Sequence, residues 1–124
     1  MILVDTSIWI DHFRTSEPQL VSLLSRNEVL SHHFVVGEIA LGSVAKRADV
    51  LRYMTNLPLS LAATHDEVMT FIDRHQLANT GLGYVDAHLL ASAALTTGAA
   101  LWSRDKNLRA AAARFGVAPK IALT

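Results

Sequence analysis

Residues 1–11 read MILVDTSIWID, and how they are parsed decides the fold. Ile2 to Val4 is a β-branched and aliphatic run, too short for a helix and suited to a strand buried inside a sheet. It leads straight into Asp5, which has no lysine or arginine within eight residues. An isolated buried charge costs on the order of several kcal/mol even after relaxation, so Asp5 is either solvated at a strand end or paired with something distant in sequence. Further along, residues 28–31 (EVLS), 57–61 and 99–103 (AALWS) repeat the short apolar run, with 118–121 a weaker fifth. Helical patterns lie between them, over 18–25, 35–45, 50–56, 66–76, 85–97 and 108–115. Thr64 and Glu67 have the spacing of a capping box. Strands alternating with helices predict parallel βαβ units and a layered α/β fold.

The chain has 124 residues, 51% of them hydrophobic, with a mean hydropathy of +0.28, which excludes a disordered segment and fits one domain spanning residues 1–124. Eleven Lys and Arg balance eleven Asp and Glu, so any charge logic is local. With no cysteine, a disulfide scaffold and every thiolate metal or redox site are excluded, and a reducing cytoplasm is the expected setting. No run approaches eighteen apolar residues, so no membrane partner is expected.

Three further carboxylates stand out in this frame. Asp105, after AALWSR, follows a short strand as Asp5 does, and in open parallel sheets that edge is where ligands bind. Asp86 opens VDAHLLASAALTT in register with Leu89, Leu90, Ala93 and Thr97, and Glu38 shares a face with Val35, Leu41, Gly42 and Ala45, so both are expected to point inward. Taken alone, Asp86 and Asp105 each read as a helix cap sooner than as a ligand, Asp5 could likewise cap the segment after it, and Glu38 could pair with a lysine or arginine. Taken together, four acids at one sheet edge without matching cations repel each other unless a hard divalent cation neutralises them, which points to magnesium or manganese.

The stretches ILVDTSIWID, GEIALG, GLGYVDAHLLASA and LWSRDKNL, in this order and spacing from Ile2 to about Val117, resemble the PIN-domain ribonucleases, and more narrowly the toxins of VapBC-type toxin–antitoxin modules. The resemblance implies a three-layer α/β/α fold around a central sheet of about five parallel strands. It also implies Mg2+ or Mn2+ dependence, cleavage of single-stranded or looped RNA, a protein antitoxin and a homodimer. Carried onto this chain, the family's acidic quartet falls on Asp5, Glu38, Asp86 and Asp105. Its hydroxyls fall on Thr6 or Ser7 and on Ser103.

Carboxylate-held metal ions make a water nucleophilic, offset anion repulsion and stabilise a leaving oxygen, which is what phosphodiester hydrolysis requires. Asp5 and Asp86 are expected to ligate directly, Asp105 directly or through water, and Glu38 to orient the attacking water. Arg104, Lys106 and Arg109 beside Asp105, with Lys46, Arg47 and Arg52 after the Glu38 helix, are candidate phosphate contacts. The six histidines show no zinc spacing: His32 and His33 are read as facing opposite sides of a strand, and His88 lies about 200° round the helix from Asp86. Gly81 and Gly83 read as a tight turn. Two rival readings are a haloacid-dehalogenase-like phosphatase, disfavoured because Ser7 stands where that family's second aspartate belongs, and a non-catalytic PIN-fold module binding RNA or protein.

Overall fold

The computed structural model describes residues 1–124. Its elements run β1 (Ile2–Val4), α1 (Thr6–Arg14), α2 (Pro18–Ser25), β2 (Val29–Leu30), α3 (His33–Leu41), α4 (Arg47–Thr55), α5 (His65–Arg74), α6 (Tyr84–Leu95), β3 (Ala100–Trp102) and α7 (Lys106–Arg114). The α/β alternation is as expected, and so is the capping box: Glu67 N–H donates to Thr64 Oγ1 at 3.1 Å and Thr64 N–H to Glu67 Oε1 at 2.9 Å.

The sheet has three parallel strands in the order β2-β1-β3, not about five. The two missing strands approach its outer edges and make one rung each. Ser31 N–H donates to Pro58 O and Ser31 O accepts from Ser60 N–H, a single bridge to Leu59; on the other side Leu101 N–H donates to Val117 O. The adjoining rungs of a parallel ladder would need an amide hydrogen from Pro58 and from Pro119, and proline has none. These prolines also blunt the edges against pairing with other chains.

Successive residues of a strand face opposite sides of the sheet, and Ile2, Leu3 and Val4 are all buried, so β1 is covered on both faces. The core cluster of 22 residues joins this strand to Ile8 and Trp9 of α1, Leu20 and Leu23 of α2, Leu89 and Leu90 of α6, and Leu108 of α7. Fully burying each such side chain contributes about 1.5–3 kcal/mol. Helix α6 is buried on every side from Ala87 to Ala93, so its sequence carries no apolar stripe to set it against a wet face.

Because β2 and β3 flank β1 on opposite sides, the chain reverses its winding direction at the carboxyl end of β1. Asp5 occupies that point.

Candidate active site

Asp5 is 7% exposed, with no cation beside it, and hydrogen bonds solve its burial. As N-cap of α1 its Oδ1 accepts from Thr6 N–H at 2.8 Å, while Oδ2 accepts from Ser7 Oγ at 2.9 Å and from Ser103 Oγ at 2.7 Å. Three donors, with the positive end of α1 beside them, satisfy the carboxylate away from any lysine or arginine.

The Ser103 and Thr6 hydroxyls tie in two more acidic residues. Ser103 Oγ accepts from Asp105 N–H at 3.0 Å, linking the ends of β1 and β3, and Thr6 Oγ1 donates to Glu38 Oε1 at 2.6 Å, linking α1 to α3. The sequence left Thr6 and Ser7 as alternatives for one role. Each has its own acid, Thr6 holding Glu38 and Ser7 holding Asp5.

Asp105 is N-cap of α7, its Oδ2 accepting from Leu108 N–H at 2.8 Å; Asp86 sits in the first turn of α6, its Oδ2 accepting from Gly83 N–H at 2.9 Å. Gly83 escaped the sequence reading as a site residue, although the spacing G-x-x-D at a helix start is half a capping box. Burial raises the Asp86 carboxyl above the ordinary carboxylate range; the Gly83 N–H bond opposes this, and the charges of Asp5 and Asp105 add to it. Asp86 therefore feels two members of the quartet directly.

The expectation that all four acids point inward needs correction. Asp5 is buried and Asp86 half-buried, whereas Glu38 and Asp105 are exposed at the rim. No three of them stand together as a ready chelate. Each is held by its own local donors, and each of Glu38, Asp86 and Asp105 keeps a second oxygen without a protein partner, while Asp5 has accepted three bonds of about four it can take. Asp11, Glu17, Glu28 and Asp49 have arginine partners; the quartet has none. Asp66, Glu67 and Asp73 also lack one; all three are exposed on α5, and no hydroxyl ties them to the quartet. An all-oxygen donor set of carboxylates without cations is the chemistry that fits a hard divalent ion.

Among the candidate phosphate contacts, Arg104 is turned away. Its guanidinium donates to Asp11 at 2.8 Å, to Glu17 at 2.5 Å and to Thr124 O at 2.8 Å, joining α1, the start of α2 and the C-terminus. Arg47 donates twice to Ala40 O, closing the end of α3, and Arg52 pairs with Asp49. Lys46, Lys106 and Arg109 are exposed and make no ion pair.

His32 is not a strand residue: it is N-cap of α3, its Nδ1 accepting from Phe34 N–H at 3.0 Å, and Nε2 lies 3.1 Å from Ser92 Oγ. An acceptor Nδ1 makes Nε2 the protonated nitrogen of a neutral ring. Burial, with His88 and His33 adding, lowers its pKa to about 4.

The PIN-domain family model matches residues 2–114. The chain belongs to the PIN-domain family. Two relatives, the Ribonuclease VapC32 proteins of Mycobacterium tuberculosis strains CDC 1551 / Oshkosh and ATCC 25618 / H37Rv, are each 51% identical to it over 118 residues, covering 95% of both chains. This PIN-domain chain is therefore of the VapC ribonuclease type, and the haloacid dehalogenase reading falls away. No solved structure matches at a significant level. None of its helices is long and apolar enough to cross a membrane.

Proposed function

We propose that this VapC-type toxin ribonuclease hydrolyses RNA phosphodiester bonds with Mg2+, or Mn2+ in its place, held by Asp5, Asp86 and Asp105, with Glu38 orienting the attacking water. The observation that carries this reading is that Asp5, Glu38 and Asp105 are linked through Thr6 and Ser103, that Asp86 feels the charges of Asp5 and Asp105, and that none of the four has a cation at ion-pair distance. A divalent ion bound there would supply a Lewis acid for the phosphoryl oxygens and a lowered pKa for bound water. Ser7 and Ser103 fix the rotamer of Asp5, so its remaining lone pair keeps one direction. Thr6 does the same for Glu38, leaving Oε2 to accept a proton from water. Lys106 and Arg109, beside Asp105 and free of acidic partners, would hold flanking phosphates.

The partners consistent with this reading are RNA, a cognate protein antitoxin and a second copy of the chain. Glu38 also lines a pocket of about 220 Å³ between α1 and α3, with Ile10, Phe13, Ile39 and Val44. Apolar side chains of an antitoxin would seat there while an arginine or lysine meets the acids, since a site for a divalent ion also accepts a guanidinium.

The test is RNA cleavage by Asp5→Asn, Asp86→Asn and Asp105→Asn. Each is expected to lose about 10³-fold or more, and a double variant little beyond either single. Cleavage near the wild-type rate by Asp86→Asn would sink the assignment.

A further inference from the structure

The eight buried polar residues divide into two groups: Asp5, Thr6 and Ser103 serve the acids, and Ser31, His32, Ser60, His88 and Ser92 lie beyond the end of β2 or along α6. Within the second group the Ser31 and Ser60 hydroxyls and the His88 ring lack a hydrogen-bond partner, and His88 is the one ring among them. It is 3% exposed, and neither ring nitrogen has a hydrogen-bond partner. With no polar partner, the ring serves as an aromatic body, packed against other rings.

What it packs between is informative. The Phe34 ring lies 4.5 Å away at 60° and the Tyr84 ring 4.5 Å away at 81°, both T-shaped contacts. These two outer rings reach solvent, at 37% and 45% exposure. Tyr84 is pinned further by its hydroxyl, 2.6 Å from His65 Nδ1. Phe34 stands one turn before Glu38 on the same face of α3, and Tyr84, at the start of α6, packs with it around His88. Phe34 follows β2, whereas Lys106 and Arg109 follow β3, on the opposite side of β1. A single strand crossing from the aromatic side to the cationic side therefore passes over the acids.

We propose that Phe34 and Tyr84, wedged apart by His88, form a stacking platform for an unpaired RNA base adjacent to the scissile phosphodiester. This rests on the proposed cleavage of RNA at the acids and adds the means by which the strand is held there. Single-stranded RNA is gripped by stacking its exposed bases on aromatic rings, and each such base contributes about 1–3 kcal/mol, or roughly five- to 150-fold in affinity. Rings already fixed by packing and by the His65 contact lose little freedom on binding, which favours that gain.

The experiment is fluorescence anisotropy with Ca2+ in place of Mg2+, using a labelled ten-nucleotide oligoadenylate and an abasic ribose-phosphate chain of the same length. Wild type is expected to prefer the oligoadenylate about tenfold. Tyr84→Ala and Phe34→Ala should each reduce that preference several-fold, while Tyr84→Phe, which keeps the ring and loses only the His65 contact, should retain most of it. Equal preference in wild type and Tyr84→Ala, or no preference in wild type, would overturn the platform. A platform that serves a protein partner instead would give the second result. Asp86→Asn should keep the base preference while losing cleavage in Mg2+, so failure of the acid assignment reads out separately from failure of the platform.

Discussion

Asp86→Asn separates a metal ligand from a helix cap without any RNA. In a chelating buffer the Asp86 carboxylate is penalised by burial and by the charges of Asp5 and Asp105, with only the Gly83 N–H bond in its favour. Asparagine keeps nearly the same shape and offers its amide oxygen to the same N–H, so the cap survives while the charge goes. The sign follows from the raised pKa. Between the ordinary carboxylate range and the raised value the folded protein holds a proton that the unfolded chain has released, so stability falls as pH rises through that window. The variant should therefore melt at or above wild type at pH 7 in chelator, and the difference should vanish at pH below the ordinary carboxylate range. Mn2+ at about a hundredfold excess over its Kd stabilises the protein that binds it by about 2.7 kcal/mol. At roughly 3–5 °C per kcal/mol for a chain of this size, wild type should gain on the order of 10 °C and Asp86→Asn less than a third of that. Differential scanning fluorimetry in one buffer measures all four arms. Equal Mn2+ shifts in the two proteins would leave Asp86 a cap and remove it from the site.

The other predictions use the hydrogen bonds around that site. Ser103→Ala removes a donor to Asp5 and an acceptor for Asp105 N–H together, and should weaken Mn2+ binding and kcat by roughly 10–100-fold, as loss of a group orienting metal ligands does; unchanged Mn2+ affinity by calorimetry would deny the hydroxyl that role. His32 has a folded pKa of about 4 against 6.5 unfolded, so stability is lost as pH falls through that span, about 2 kcal/mol between pH 7 and pH 5. His32→Asn, which keeps an N-cap acceptor, should flatten that part of the pH profile in urea titrations, and an unaltered slope would refute the neutral-cap account. The cognate antitoxin, if it presents a cation to the acids, should raise the apparent Kd for Mn2+; a complex with unchanged Mn2+ affinity would exclude competition.

Most of this fold was legible because its signals are local. The run at Ile2–Val4, the Thr64–Glu67 box and Pro18 at the start of α2 each need only near neighbours to be interpreted. The two lost strands needed more. Residues 57–61 and 118–121 have strand-like composition, but Pro58 and Pro119 forbid a ladder only when the partner carbonyls are known to be those of Val29 and Leu101. His32 escaped for another reason: imidazole is an uncommon cap, and its selection depends on Ser92, sixty positions away. The roles of Arg47 and Arg104 were likewise illegible, since the carbonyl and carboxylates that hold them come from other elements or from the C-terminus.

Within the acidic site, capping a helix and holding an ion are compatible roles for one carboxylate. Asp5, Asp86 and Asp105 are all caps or first-turn residues, of α1, α6 and α7, and on the proposed reading that is what suits them to hold an ion. A capping bond engages one oxygen, fixes the carboxylate plane and places the anion at the positive end of a helix. It thereby lowers the cost of gathering several anions at one edge before any ion arrives. The second oxygen of Asp86 and of Asp105 stays free, in an orientation that the backbone sets. A carboxylate on a mid-helix or loop position would lose rotamer freedom on binding metal and would have no dipole to offset repulsion from its neighbours. Glu38 is the exception that fits this logic: lying mid-helix in α3, it has no cap to make, and Thr6 supplies from α1 the fixing bond that its own backbone cannot.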